Sequence, residues 1–279
     1  MPISTLYAAT QRLYRKVGYE QGGSRCFWEM PTNSIQQSDR SIPMQPVIPL
    51  RDQFHKLYHQ QAKVPHGYLA RNQAIWEEVI KQPIYAYLIG EETQPEGYII
   101  FSQRQENHSN LIQIHDWVLL TATAMRRFWT FISDHRSQIE KVQWRNSTID
   151  FLTLMLPEQT AKIIYSKHWM LRVVNVCLAL EKRGYSQQLE AQLHLEIRDN
   201  LIAENNDNFI LTVANGRGEI TKGGKGELQL HINGLSPLYT GLFTPYQLQQ
   251  TGYLQATEKA LSVATQMFAG SLPWMPDFF

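Results

Sequence analysis

The apolar residues change their spacing several times along the chain, and each change marks an element. Residues 3–7, ISTLY, read as a short strand. ATQRLYRKV, residues 9–17, reads as a helix with Leu13 and Val17 one turn apart and Gly18 placed to end it. Residues 31–50 hold four prolines and little periodicity, the pattern of a linker or an extended crossing segment.

The next 120 or so residues are more regular. RDQFHKLYHQQA and RNQAIWEEVIK predict two helices joined by a turn near Pro65 and Gly67. Three strands follow, at 84–90, 97–105 and 111–120, with connections short enough for an antiparallel meander. TATAMRRFWTFISDHRSQ predicts a helix capped by Thr121. A strand (KVQWRN), a helix (TIDFLTLML) and a strand (KIIYSKHWMLR) complete this part.

After about residue 171 the character changes. A helix, VVNVCLALEKRGY, ends at Gly184. Alternating strands follow at 192–199, 208–216 and 226–233, with Asn- and Gly-rich loops between them. Two helical stretches lead to the aromatic end, PWMPDFF. The order of elements is that of an α+β protein.

Composition narrows the partners. The formal net charge of +1 leaves no polyanion signature, so bulk electrostatics favour neither nucleic acid nor an anionic membrane. Two cysteines, Cys26 and Cys177, suggest no disulfide framework and fit a reducing compartment. No apolar run approaches the length of a membrane span and no signal peptide is visible, so a cytoplasmic protein is expected.

Three stretches carry a resemblance. TLYAATQRLYRKVGYE is similar to the end of a GNAT acetyltransferase domain, HWMLRVVNVCLALEKRGY to the entry into a sterol-carrier-like domain, and FAGSLPWMPDFF to a C-terminus that ends in an active site. In this order they resemble the enhanced intracellular survival family of N-acetyltransferases, across the whole chain. The resemblance implies residues 1–31 as the remnant of a first GNAT domain, 32–171 as a second GNAT-like domain, and 172–279 as a sterol-carrier-like domain. It also implies that most of the first GNAT domain is missing, which would leave the N-terminal 30 residues as an exposed edge.

The implied chemistry is acetylation of a primary amine, of aminoglycoside or lysine type, by acetyl-CoA, in a homo-oligomer. Tyr14 would be the acid that protonates the departing thiolate, and the α-carboxylate of Phe279 the base. Asp277 would anchor a cationic substrate. Alternatives stay open: Tyr14 as a packing aromatic, the tail as a stability device, Asp277 as a solvent-facing carboxylate. The glycine-rich pyrophosphate loop of this superfamily is absent; the corresponding stretch, LLTATAMRR, has no glycine. Thr221-x-x-Gly224-x-Gly226 echoes such a loop but reads better as a hairpin connection between strands. A non-catalytic protein that binds an apolar ligand, or serves only in assembly, is the competing reading. His55 and His59, one turn apart, lack the glutamate of a zinc-protease helix and read as a polar face. Arg126 and Arg127 beside Phe128 and Trp129 read as an amphipathic helix.

Overall fold

The computed structural model describes residues 1–48, 51–64, 67–81, 84–106 and 109–278. The chain opens with β1 (Ile3–Leu6), α1 (Gln11–Arg15) and β2 (Glu20–Pro31). A 3-10 turn (Thr32–Ser34) and β3 (Met44–Pro46) precede α2 (Arg51–Gln61) and α3 (Gln73–Ile80). Then come β4 (Tyr85–Glu91), β5 (Gln94–Glu106), β6 (Ser109–Leu119), α4 (Ala122–Asp134) and β7 (Lys141–Asn146). A second 3-10 turn (Phe151–Met155) leads into β8 (Lys162–Val173) and α5 (Val176–Lys182). The rest comprises β9 (Ala191–Arg198), a third 3-10 turn (Ala203–Asn205), β10 (Asp207–Ala214), β11 (Arg217–Lys222) and β12 (Leu228–His231). It ends with α6 (Ile232–Thr240), α7 (Pro245–Gln250), β13 (Leu254–Ala256) and α8 (Glu258–Met267). Among the described residues no helix is long and apolar enough to cross a membrane.

The chain forms two compact units. One comprises residues 24–167 and 274–278, the other residues 1–23, 168–273 and 279. In the unit of residues 24–167 the strands run in the order β8-β2-β7-β6-β5-β4-β3. The β4–β5–β6 meander is antiparallel, and β6 and β7 are parallel. GYIIF in β5 is apolar at consecutive positions because both of its faces are covered. Ile99 and Phe101 pack with Phe128, Trp129 and Ile132 of α4, while Tyr98 and Ile100 pack with Phe54 and Tyr58 of α2 and Trp76 of α3. Thr121 caps α4 as its sequence predicts, accepting the Ala124 amide.

In the other unit β1 pairs antiparallel with β8, and a five-stranded sheet runs β11-β10-β9-β12-β13. β9 and β10 alternate cleanly: Leu193, Leu195 and Ile197 are buried beside Phe209, Leu211 and Val213. α8 packs on β9, and α5 on β11.

Several expectations are corrected. Residues 20–31 are no exposed edge: they form β2, an interior strand, and β1 has β8 as its neighbour. The glycines that hide β2 from a sequence reading have a packing reason. A Cβ at Gly22 would lie 2.3 Å from the Trp169 ring, and one at Gly23 2.4 Å from it, so only glycine lets that buried indole lie flat on the strand. Residues 148–156 form no α-helix but the 3-10 turn Phe151–Met155, because Asp150 caps Leu152 at close range. Thr221 sits in β11, the true hairpin partner of β10, and the glycines after it carry the chain to β12, which pairs parallel with β9. Leu13 and Val17, one turn apart in the sequence reading, are 59% and 40% exposed. The segment 31–50 is partly ordered by β3, which pairs with β4. Pro65 lies outside the described residues.

Asp150 gives this fold a pH dependence. Its carboxylate accepts from the Trp144 indole and the Leu152 amide, yet burial pushes its pKa up to about 6. The folded chain thus holds this proton more tightly than the unfolded chain, where the pKa is about 3.9. The resulting stability is complete below about pH 4 and is lost as pH rises through about 6, a decline of about 3 kcal/mol. Urea unfolding of the wild type and Asp150→Asn should show their gap moving toward the variant by that amount between about pH 4 and pH 7. A gap independent of pH would mean that the carboxyl titrates normally.

Candidate functional site

The aromatic tail is a docked element of the unit formed by residues 24–167. Trp274 and Met275 are buried, and Trp274 forms a parallel bridge with Ser24 while the Met275 amide donates to the Ser24 carbonyl at 3.2 Å. The Trp274 indole stacks on Trp117 at 6.2 Å and meets Tyr68 edge-on at 5.0 Å. A Cβ at Gly67 would lie 2.6 Å from the Trp274 carbonyl, so the tail backbone runs directly over this glycine, whose φ is +102°. Such burial offsets the entropy that frays most chain ends.

Asp277 is no solvent-facing carboxylate. It is buried and bound by Arg71, whose Nε donates to both carboxylate oxygens at 3.0 and 3.1 Å. The other edge of the same guanidinium grips Asp116 at 2.7 and 2.9 Å. Arg71 lies over the Tyr58 ring at 3.9 Å, and the Tyr98 hydroxyl donates to Asp116 at 2.7 Å. Burial raises the pKa of Asp277, with Asp116 adding to this and Arg71 opposing it. One planar cation thus ties together the tail, β6 and the start of α3. Asp116 had a visible signal, a charged residue in the apolar strand HDWVLL; Arg71 had none.

A cavity of about 420 Å³ adjoins this cluster. Its walls include Arg25, His115, Arg145 and Phe278. His115 shares a 2.7 Å hydrogen bond with Ser102, and burial, with Arg145 and Arg104, lowers its pKa to about 4. It is therefore neutral at pH 7.

Tyr14 belongs to the other unit. It is half-buried on α1, its ring edge-on to Tyr19 at 5.7 Å. The helix is closed by the Tyr19 amide donating to the Tyr14 carbonyl at 3.1 Å, with Gly18 at φ +86°. Next to it the buried Glu20 accepts two hydrogen bonds of 2.8 Å from Arg15 and one of 2.8 Å from the Tyr253 hydroxyl. Burial would raise its pKa, but Arg15, the Gln21 amide and Tyr253 outweigh that and hold it below the usual range. Phe279 lies outside the described residues.

The histidines His55 and His59 stack with rings 6.2 Å apart. Arg126 pairs with Asp39 at 2.7 Å, and Arg127 donates to the Ile42 carbonyl at 3.2 Å.

The stretch that would receive the coenzyme A pyrophosphate is the start of α4. Its first turn is capped internally, and the Thr121 hydroxyl donates to the Glu96 carboxylate. The adjoining cleft has Asp52, Glu92 and Glu96 on its walls against Lys56. Carboxylates repel a pyrophosphate, and no glycine opens the backbone amides to it. These residues do not fit acetyl-CoA.

Comparison with known proteins agrees with the architecture. The acetyltransferase (GNAT) domain family matches residues 67–173, and the sterol carrier protein domain family matches residues 176–276. The chain is similar to a GCN5-related N-acetyltransferase from Anabaena variabilis, with 58% identity and a TM-score of 0.97 over all of this chain and 73% of that one. A GCN5-related N-acetyltransferase from Kribbella flavida has 25% identity and a TM-score of 0.85, over all of this chain and 71% of its own. The N-acetyltransferase Eis of Mycobacterium tuberculosis is 22% identical over 93% of this chain and 67% of its own length. Acetyltransferases of this superfamily use acetyl-CoA. The chain belongs to the GCN5-related N-acetyltransferases, among which it is similar to the N-acetyltransferase Eis.

Proposed function

We propose that the protein takes part in acetylating primary amines in the cytoplasm, with Tyr14 as proton donor and the Phe279 α-carboxylate as proton acceptor. The anchoring of the tail carries this reading. A terminal carboxylate can serve as a base only if the residues before it are held still, and here Trp274 and Asp277 are both buried and tied to the sheet. On this reading Asp277 acts mainly through Arg71, as a positioning residue, and lines the cavity beside the tail. Tyr14 supports the reading by its place: a phenol at the end of a helix closed by Gly18 has a fixed orientation.

The test is release of thiol from acetyl-CoA by the protein as its cell makes it, with an aminoglycoside and a lysine peptide as acceptors. Tyr14→Phe, and separately one residue added after Phe279, should each lower the rate about 10²–10⁴-fold while the unfolding midpoint stays unchanged. Unchanged rates in both variants would end the acid–base assignment. No thiol release with any amine would favour the non-catalytic reading.

A further inference from the structure

The helix that carries Tyr14 cannot hold itself in place. α1 is five residues long, Thr10 before it makes no side-chain cap, and none of its residues is buried. A helix this short is unstable alone, because nucleation costs more than so few hydrogen bonds return. Apolar packing adds little, since Leu13 and Val17 are both exposed. What remains to fix the turn from Arg15 to Tyr19 is polar contact with the rest of its unit.

Asn233, in the first turn of α6, supplies that contact. Its Nδ2 donates to the Arg15 carbonyl at 3.0 Å and to the Tyr19 carbonyl at 2.9 Å. These carbonyls bracket the turn. Between them the Val17 and Tyr19 amides donate to the Tyr14 carbonyl at 3.0 and 3.1 Å, and the Gly18 amide donates to the Arg15 carbonyl at 3.1 Å. One side-chain amide therefore spans both ends of the turn that closes on Tyr14.

The direction of that amide is fixed as well. Both Nδ2 hydrogens are used, so Oδ1 must accept, and His231 Nδ1 donates to it at 2.6 Å. The Asn233 backbone amide lies 3.5 Å from the same nitrogen, too far to compete. A Cβ at Gly18 would lie 2.2 Å from an Arg172 nitrogen, so the turn also sits directly on that guanidinium. The bonds from Arg15 and Tyr253 to Glu20 act between side chains, whereas Asn233 is bonded to the backbone itself.

We propose that Asn233 is a positioning residue for the reaction: it clamps the Arg15–Tyr19 turn so that the Tyr14 phenol stays in line to donate its proton, with His231 orienting the amide. The proposal rests on the reading of Tyr14 as the acid. A general acid must be held within hydrogen-bond reach of the departing atom, and one on a loosened turn spends only part of its time there.

Asn233→Asp is the test at pH 7. It keeps the size of the side chain, and an acidic residue in the first turn of α6 favours that helix, but it has no hydrogen for either carbonyl. Asn233→Ala is the second variant, removing the donors without adding a charge. Amide hydrogen exchange is read first, with no substrate present. The Gly18 and Tyr19 amides should exchange about tenfold faster in both variants, while the amides of the β9–β10 ladder keep their rates. Thiol release from acetyl-CoA by the protein as its cell makes it is read second. Each variant should lower kcat about tenfold with the KM of the amine little changed, and neither should lower it further in a Tyr14→Phe background.

Unchanged exchange at Tyr19 in both variants would overturn the clamp, and an unchanged kcat would overturn the positioning role. Losses by the same factor with and without the Tyr14 hydroxyl would also overturn it, because Asn233 would then only support the fold. If Tyr14→Phe alone leaves the rate unchanged, the acid reading fails first and this proposal falls with it, even where exchange at Tyr19 has changed.

Discussion

Arg71→Met should lower stability by about 3–5 kcal/mol, read as a fall in the urea midpoint at pH 7 with an unchanged slope. The substitution keeps an apolar stem of similar length, so Tyr58 and Trp76 retain a neighbour. The charge is what disappears. Arg71 is the cation shared by Asp116 and Asp277, and the side chains of all three are almost fully shielded from solvent. Without it two carboxylates face each other in the interior, and one must take up a proton. The deficit should therefore be largest at neutral pH and shrink in strongly acidic solution, well below about pH 4, where aspartates in the unfolded chain lose their charge too. Asp277→Asn should cost much less, because it leaves Arg71 and Asp116 as a neutral pair. If Arg71→Met and Asp277→Asn lose equal stability, the cluster does not act as a shared-cation triad.

The second large effect belongs to the other unit. Asp199→Ala should also cost about 3–5 kcal/mol. Asp199 accepts two hydrogen bonds from Arg172, at 2.9 and 2.7 Å, one from the Asn205 amide at 2.8 Å, and one from the Leu201 backbone at 3.0 Å. Alanine would leave a buried guanidinium without its counter-ion and a loop without its organising acceptor. Burial would raise the pKa of Asp199, but Asn205, the Leu201 amide and Arg172 outweigh it and hold the carboxyl below its usual range. A depressed folded pKa gives stability that is present above the unfolded value, about 3.9, and lost as pH falls through the folded one. Wild type and Asp199→Ala should therefore converge in strongly acidic solution. A constant difference down to about pH 2 would show that the loss comes from packing alone.

Asp150 and Asp199 have opposite pH dependences. Both are buried, but Asp199 has a guanidinium and Asp150 has only neutral donors. At Asp150 those donors do not offset the desolvation of the carboxylate, whereas at Asp199 the Asn205 amide, the Leu201 amide and the Arg172 guanidinium together do.

The candidate site was legible only in part. The tail announced itself by composition, since Trp274, Met275 and two phenylalanines at a chain end demand a place to be buried. Tyr14 stood out by resemblance, and its helix closed at Gly18 as the sequence indicated. The partners of Asp277 were not legible. Arg71 precedes α3 and Asp116 lies in β6, separated by 45 residues, and nothing in either neighbourhood specifies the other. Arg25 and Arg145 likewise come from β2 and β7, and meet only because those strands pair antiparallel with Cys26 opposite Asn146.

What the sequence determined by itself is the local part of the structure: the meander, the capped helix α4, the alternating strands β9 and β10, and the α+β class. These follow from the period of apolar residues and from capping side chains, which act within a few residues. The tertiary structure alone decided the rest. It made a strand of the glycine-bearing segment 20–31, because the Trp169 indole needed the room. It exposed Leu13 and Val17, sent β12 to the far side of β9, and joined Arg71 to two distant carboxylates. Each of these outcomes depends on which surfaces meet, and a spacing pattern specifies the face an element offers but not the partner that covers it.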